Sequence, residues 1–200
     1  MFNLFLKGGP VMWPLLLTSL FTLTVVIERF LFLWRQSRLK QPEIVDMIFA
    51  EIEAGHMEEA IRLGEKSQDC VSTILTYGLR HRKTSLTNAL LRAANSELKL
   101  HARGLPVLDT VITLAPLLGL LGTVTGMIHA FGLLGNSELQ APMVITGGIA
   151  QALIATACGL GVAIIALIPF NYLNARLEEA RHEIEDITTH LELLLKDKNL

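Results

Sequence analysis

Charged residues are absent from three long stretches of the chain. Residues 8–27, 110–137 and 139–175 contain no Asp, Glu, Lys or Arg. Apolar runs of this length are typical of transmembrane helices, since about 20 apolar residues cross the hydrocarbon core of a bilayer. The pattern therefore predicts three spans, at residues 11–34, 106–134 and 143–172.

The segments between and beyond the spans are more polar. A tail at 1–10 precedes the first span, and a turn at 135–142, which contains Gly, Asn, Ser and Pro, joins the second span to the third. Residues 35–105 form a polar region and residues 173–200 continue the third span. Apolar positions recur with helical rather than strand-like spacing. We predict an all-α membrane protein with three long transmembrane helices and a cytoplasmic helical domain.

Basic residues indicate how the spans are oriented. Arg35 and Arg38 follow the first span, Arg176 and Arg181 follow the third, and the turn at 135–142 has neither Lys nor Arg. Cytoplasmic loops carry an excess of Lys and Arg. We therefore expect the N-terminus and the turn on the outer side of the membrane, with the polar region and the C-terminus in the cytoplasm.

The polar region is expected to hold four helices, at 42–54, 57–65, 71–82 and 86–103. After the third span, apolar residues step by four and three, as in a heptad pattern, at Leu173, Leu177, Ala180, Ile184, Ile187, Leu191 and Leu194. Such a helix packs against other helices. Two interpretations stay open: a heptad helix packed against other helices as in a coiled coil, or an amphipathic helix lying on the chain's own cytoplasmic bundle. A symmetric oligomer would satisfy both.

Composition excludes several functional classes. Only 18% of the residues are charged, the net charge is −2 and the isoelectric point is near 6.3, which excludes a soluble enzyme and gives no sign of nucleic-acid binding. Cys70 lies in the polar region and Cys158 in a span, so we expect two buried, unreactive thiols. The Cys and His spacings predict no metal site, and no catalytic group is apparent.

The second and third spans both carry small residues at helical spacing. Small side chains let helices approach closely in lipid, where burial of apolar groups gives no driving force between helices. We therefore expect close packing of these two spans through Gly119, Gly122, Gly126, Ala152, Thr156, Gly159, Ala163 and Ala166.

Polar side chains within the spans are few. Thr123 and Thr156 lie near mid-span, and each hydroxyl could donate to the backbone of its own helix at i−4 or face a polar pore. Asp109 and the Glu28–Arg29 pair lie near the cytoplasmic ends of their spans. No Asp, Glu, Lys or Arg lies near the middle of any span, so a proton pathway through this protein needs a carboxylate from another subunit.

Two runs within the spans are distinctive, the run from Ala115 to Met127 in the second span and the run from Gly148 to Leu160 in the third. Together they resemble the MotA/TolQ/ExbB proton-channel family, nearest its ExbB and TolQ branch. The Gly8-Gly9-Pro10 turn, the Glu28–Arg29 pair and Asn171-Tyr172 also fit. The resemblance covers the whole chain in order.

The resemblance implies a subunit of a motor driven by the proton-motive force in the bacterial inner membrane. In that family a homopentamer encloses two single-span ExbD/TolR-like helices, whose membrane Asp carries the proton. The work is done in the periplasm or outer membrane, with a TonB/TolA-like protein, for import or envelope maintenance. The family's two pore-facing threonines match Thr123 and Thr156.

One departure from the family pattern concerns the third span, where Gln151 stands at the position of a glutamate in ExbB and TolQ. Glutamine keeps the shape and the hydrogen-bonding capacity but cannot titrate. The alternative hypothesis is therefore a non-conducting structural or assembly scaffold of the same complex.

Overall fold

The computed structural model describes residues 7–132 and 141–197, with the side chains of 141–145 excepted. Most of the predicted turn at 135–142 and the first six residues of the predicted tail lie outside the described residues. Within the described part the protein is helical. The described residues include, in order, the helices α1 Met12–Leu39, α2 Pro42–Ala54, α3 Met57–Lys66, α4 Cys70–Ala102, α5 Leu105–Gly132 and α6 Ala141–Asp197.

Among the residues that the structure describes, three helical stretches are long and apolar enough to cross a membrane, in α1, in α5 and in the first part of α6. The chain separates into two compact units. The first, which we call the span unit, comprises residues 1–28 and 104–173. The second, which we call the polar unit, comprises residues 29–103 and 174–200.

Helix ends in the polar unit follow local sequence signals. Gly55 ends α2 with φ of 84°, a left-handed conformation that glycine adopts without steric cost. Asp69 precedes α4, and its carboxylate accepts the Val71 N–H at 3.2 Å. The other carboxylate oxygen of Asp69 accepts the Gln41 N–H, also at 3.2 Å. The Asp69 cap therefore also joins the start of α2 to the start of α4.

A break interrupts α4 at Ser85, whose φ of −170° and ψ of 100° are not helical. This break lies between the two helices predicted at 71–82 and 86–103, and it confirms that they are separated there.

Arg29, which is only 3% exposed, donates from Nη1 to the Leu100 carbonyl at 3.0 Å, in the last turn of α4. A cation is favourable there because the last carbonyls of a helix carry partial negative charge.

The C-terminal part of α6 packs on the chain's own helices. Ile184, Leu191 and Leu195 are buried in one apolar cluster with residues of α2, α3 and α4, such as Ile48 and Leu75. This is the second of the two interpretations of the heptad pattern. At the end of that pattern the buried residue is Leu195, whereas Leu194 is only half-buried.

Cys70 lies at the start of α4 and is half-buried. Its burial, followed by the nearby carboxylates of Glu97 and Asp69, raises the pKa of the thiol to about 12. The thiolate is the reactive form of cysteine, so this residue stays protonated and unreactive at neutral pH.

Truncation of Leu191 tests the position of the C-terminal helix. Leu191 is 0% exposed, so Leu191→Ala should lower the free energy of unfolding of the polar unit by about 2–5 kcal/mol. Leu193→Ala is the matched control, because Leu193 is 62% exposed. Chemical unfolding in detergent, followed by circular dichroism, measures both variants. Equal effects would show that α6 does not bury this face.

Candidate functional site in the apolar helices

Helices α5 and α6 touch through their backbones. A Cβ atom placed on Gly159 would lie 2.5 Å from the Ala115 carbonyl oxygen and 3.0 Å from the Gly119 Cα. A Cβ on Gly119 would lie 3.1 Å from the Thr156 Cα. Only helices whose facing residues are small approach this closely.

The two helices run antiparallel. Gly126 of α5 lies against Ala152, and Gly119 lies against Thr156, so residue numbers fall on α6 as they rise on α5. The residues expected to form this contact are all buried: Gly119, Gly122, Gly126, Ala152, Gly159 and Ala163. Of the two other residues on the predicted face, Ala166 is buried and Thr156 is half-buried.

The two threonines use their hydroxyl protons differently. Thr156 donates from Oγ1 to the Gly119 carbonyl of the facing helix at 3.0 Å. Thr123 donates to the Leu120 carbonyl of its own helix at 2.6 Å. Own-backbone bonding therefore applies to Thr123, at i−3, while Thr156 ties α6 to α5. Both side chains are half-buried.

The threonines lie on one side of the line of contact. At about 100° per residue, Thr123 follows Gly119 by about 40° around α5, whereas Gly122 lies about 60° to the opposite side. Around α6, the same rotation of about 100° per residue places Thr156 and Gln151 on opposite sides of the line of contact. Because the two helices are antiparallel, Thr156 lies on the same side as Thr123, and Gln151 lies on the same side as Gly122. We call these sides the threonine flank, with Thr123 and Thr156, and the turn flank, with Gly122 and Gln151.

The turn flank is covered by residues just before α1. Gly9 has φ of 77°, and a Cβ built on it would lie 3.0 Å from the Gln151 Cδ. A Cβ on Gly122 would lie 3.7 Å from the Val11 side chain. Gln151, the residue at the position of the family glutamate, therefore packs against the Gly9 backbone.

An open apolar surface borders Thr123. It is a shallow groove along α5 formed by Thr123, Val124, Met127, Ile128 and Phe131. Val124, Ile128 and Phe131 are exposed and Met127 is half-buried. The side next to Thr123 can therefore accept another apolar helix.

Of the charged residues singled out in the sequence, Asp109 and Glu28 are exposed and Arg29 is buried. The Arg29 guanidinium lies 4.8 Å from the centre of the Phe32 ring, besides its bond to Leu100. The described residues contain no group of His, Cys, Asp and Glu side chains able to hold a metal ion. The apolar site thus offers hydroxyls, carbonyls and close packing.

Sequence reasoning did not single out Gly148 and Gly9 as contact residues. Gly148 lies against Ala130, and its carbonyl oxygen would be 3.2 Å from a Cβ on Gly126. Helical spacing could have found Gly148, since it lies four residues before Ala152 on the same face of α6. The positive φ of Gly9 has no signal in spacing, and the Gly-Gly-Pro composition of the turn was its only indication.

Enlarging Gly159 tests the backbone contact. Gly159→Ala should lower the stability of the span unit by about 1–3 kcal/mol, because the added methyl group meets backbone atoms that can only move apart. Gly161→Ala is the matched control, since a Cβ there meets no atom within 4 Å. Thermal unfolding in detergent measures the difference, and a harmless Gly159→Ala would contradict the contact.

Comparison with known proteins gives a consistent family. Residues 66–186 match the family model described as the MotA/TolQ/ExbB proton channel family. The ExbB-like protein 1 of Synechocystis sp. is 36% identical over an alignment 202 residues long, which covers 96% of this chain and 78% of that protein.

For two further relatives, the alignment with this chain covers a smaller share of the relative. The ExbB homologue of Methanothermobacter thermautotrophicus is 31% identical over 92% of this chain and 66% of its own. The Tol-Pal system protein TolQ of Haemophilus influenzae is 33% identical over 67% of this chain and 57% of its own. With its three apolar helices, the chain is a multi-pass inner-membrane protein that belongs to the MotA/TolQ/ExbB proton channel family, in the ExbB/TolQ branch.

Proposed function

We propose that this protein is an ExbB/TolQ-like subunit of a motor driven by the proton-motive force. Five copies form a sleeve around a dimer of an ExbD/TolR-like single-span protein, whose membrane Asp carries the proton. Proton flow is coupled to work in the periplasm or at the outer membrane, such as import or envelope maintenance, through a TonB/TolA-like protein. The observation that carries the proposal is the threonine flank.

The threonine flank supports this role because the chain's own residues already occupy the line of contact between α5 and α6 and the turn flank. The backbones of α5 and α6 are in contact through Gly119 and Gly159, and the N-terminal turn covers the opposite flank. Both threonines are half-buried, and Thr123 lines an apolar groove on α5. A partner helix that packs there brings its own carboxylate next to the hydroxyls.

A partner is required by the chemistry of the spans. Proton transfer across a membrane needs a titratable group at depth, and residues 110–137 and 139–175 contain no Asp, Glu, Lys or Arg. Their one histidine, His129, lies toward the outer end of its span. In this proposal Glu28, Arg29 and Asp109 stay near the cytoplasmic membrane surface. The N-terminus and the turn at 135–142 face the periplasm, and residues 35–105 and 173–200 face the cytoplasm.

The alternative, a non-conducting scaffold of the same complex, is favoured by one observation. Gln151 cannot titrate, and it packs against Gly9 of the N-terminal turn. In the motor proposal this residue positions the turn on α6. In the scaffold alternative its replacement of glutamate has abolished conduction.

Removal of the Thr156 hydroxyl tests the motor proposal. Thr156→Val keeps the side-chain shape, and it should lower proton flux into liposomes that also contain the ExbD/TolR-like partner by on the order of tenfold, the scale of about 1.4 kcal/mol in a barrier. Thr125→Val is the matched control, because Thr125 is exposed and donates to Leu121 of its own helix. Copurification of the partner should be unchanged. Equal flux in both variants would contradict the role of Thr156.

Gln151→Glu separates the motor from the scaffold. The motor proposal expects proton flux in the unmodified protein with its partner, and an unchanged pH dependence of that flux in the Gln151→Glu variant, because residue 151 faces Gly9. The scaffold alternative expects flux only after the substitution. Gln151→Met, which keeps the length without either polar atom, controls for loss of packing against the turn.

A further inference from the structure

A cavity of about 700 Å³ opens on the polar unit between α2 and the C-terminal part of α6. Its floor is apolar and includes Phe49 and Ile187. Five carboxylates line it, those of Asp46, Glu53, Asp69, Glu183 and Asp186. We call this cavity the acidic groove.

Only part of the negative charge of the acidic groove is compensated within the chain. Lys40 binds Glu183 at 2.6 Å, and Asp69 is buried as the cap of α4. Asp46 and Asp186 are exposed and make no ion pair with any residue that the structure describes. The groove therefore presents carboxylates to whatever lies outside it.

The opposite charge is concentrated on α4. Residues 70–103 contain six Lys and Arg against one acidic residue, whereas residues 42–66 contain two basic and seven acidic residues. Arg92 and Lys99 of α4 are exposed, and neither pairs with an acidic side chain in the described ranges 7–132 and 141–197. We call Arg92 and Lys99 the basic stripe.

The acidic groove and the basic stripe have matching spacing. Arg92 and Lys99 are seven residues apart, which is about 10.5 Å along one face of a helix. Asp46 and Glu53 on α2 are also seven residues apart and share a face at the same separation. Two helices laid side by side can therefore bring both pairs of opposite charges together.

We propose that the acidic groove receives α4 of a second copy of this chain. The basic stripe of one copy lies along Asp46, Glu53 and Asp186 of the next, and the methylene stems of Arg92 and Lys99 cover the apolar floor. The contact joins two different surfaces, so it is heterologous and repeats from copy to copy until a ring closes. This inference rests on the proposed function in taking the copies to stand side by side in one membrane.

A second copy fits better than a small cationic ligand or an unrelated basic segment. Each chain carries the groove and the stripe, so every copy in a ring gives its stripe to one neighbour and its groove to the other, whereas a single chain leaves Asp46, Asp186, Arg92 and Lys99 without an ion pair among the described residues. Complementary charge across an interface also sets which surfaces meet and suppresses wrong pairings. The acidic groove then determines the order in which neighbouring copies join.

Carbodiimide coupling tests the contact on the assembled protein in its membrane. This reagent links a carboxylate directly to a Lys amine with loss of water, and it should produce a covalent dimer in which Lys99 is joined to Asp46, Glu53 or Asp186. Lys99→Arg keeps the charge but removes the amine, so this dimer should disappear. Lys66→Arg, on the exposed surface of α3, is the matched control and should leave it unchanged.

A dimer that persists in Lys99→Arg would overturn the proposal. Coupling of the groove carboxylates to a different polypeptide would overturn it as well, by identifying another occupant. Neither result depends on proton flux or on the ExbD/TolR-like partner, so a failure here is distinguishable from a failure of the proposed function.

Charge reversal provides a second measurement. Arg92→Glu with Lys99→Glu should weaken assembly in detergent by on the order of tenfold, the scale of two exposed ion pairs. Adding Asp46→Lys and Asp186→Lys to the same chain should restore it. Glu58→Lys with Glu185→Lys, at exposed positions outside the groove, is the control for surface charge. Equal assembly of the reversed and the restored chains, by native mass spectrometry, would contradict the contact.

Discussion

The direct contact between the backbones of α5 and α6 is the constraint on which the site depends. In lipid no gain from burying apolar groups holds two helices together, so close contact and interhelical hydrogen bonds must do so. Gly119 and Gly159 allow that approach, and Thr156 then reaches the Gly119 carbonyl at 3.0 Å. A larger residue at either glycine would separate the helices and remove the bond with them.

Helix α6 obeys two packing rules along its length. Between Gly148 and Ala166 its buried residues are glycine and alanine, which meet another backbone. Between Leu173 and Leu195 its buried residues are leucine and isoleucine, and those from Ile184 onward join the apolar cluster of the polar unit. The change follows from the solvent, because water drives large apolar side chains together and lipid does not.

Much of this architecture can be predicted from the local pattern of the sequence. The three spans follow from length and apolarity, and the small-residue contact follows from residues three and four apart. The break at Ser85 falls between the helices predicted at 71–82 and 86–103. The pattern could not say that Thr156 bonds α5 rather than its own helix. That choice depends on the distance between two backbones, which spacing along one helix does not contain.

The sequence pattern also could not predict which of the two flanks is covered. Which one is covered depends on the turn at Gly9, which has a positive φ and lies against Gln151, while Val11 lies near Gly122. This is a contact between residues more than a hundred positions apart. The heptad residues likewise fit a neighbouring chain or the chain's own bundle equally well, until Ile184 and Leu191 are seen beside Ile48.

The hydrogen bonds of the two threonines have a consequence for charge selectivity. Each hydroxyl has one proton, and both protons are already donated, to Leu120 and to Gly119. What remains on each oxygen is acceptor capacity alone. A neutral carboxylic acid could donate to such an oxygen, whereas an ionised carboxylate would find only lone pairs. The threonine flank would therefore discriminate between protonation states, and favour an acid that has already taken up its proton.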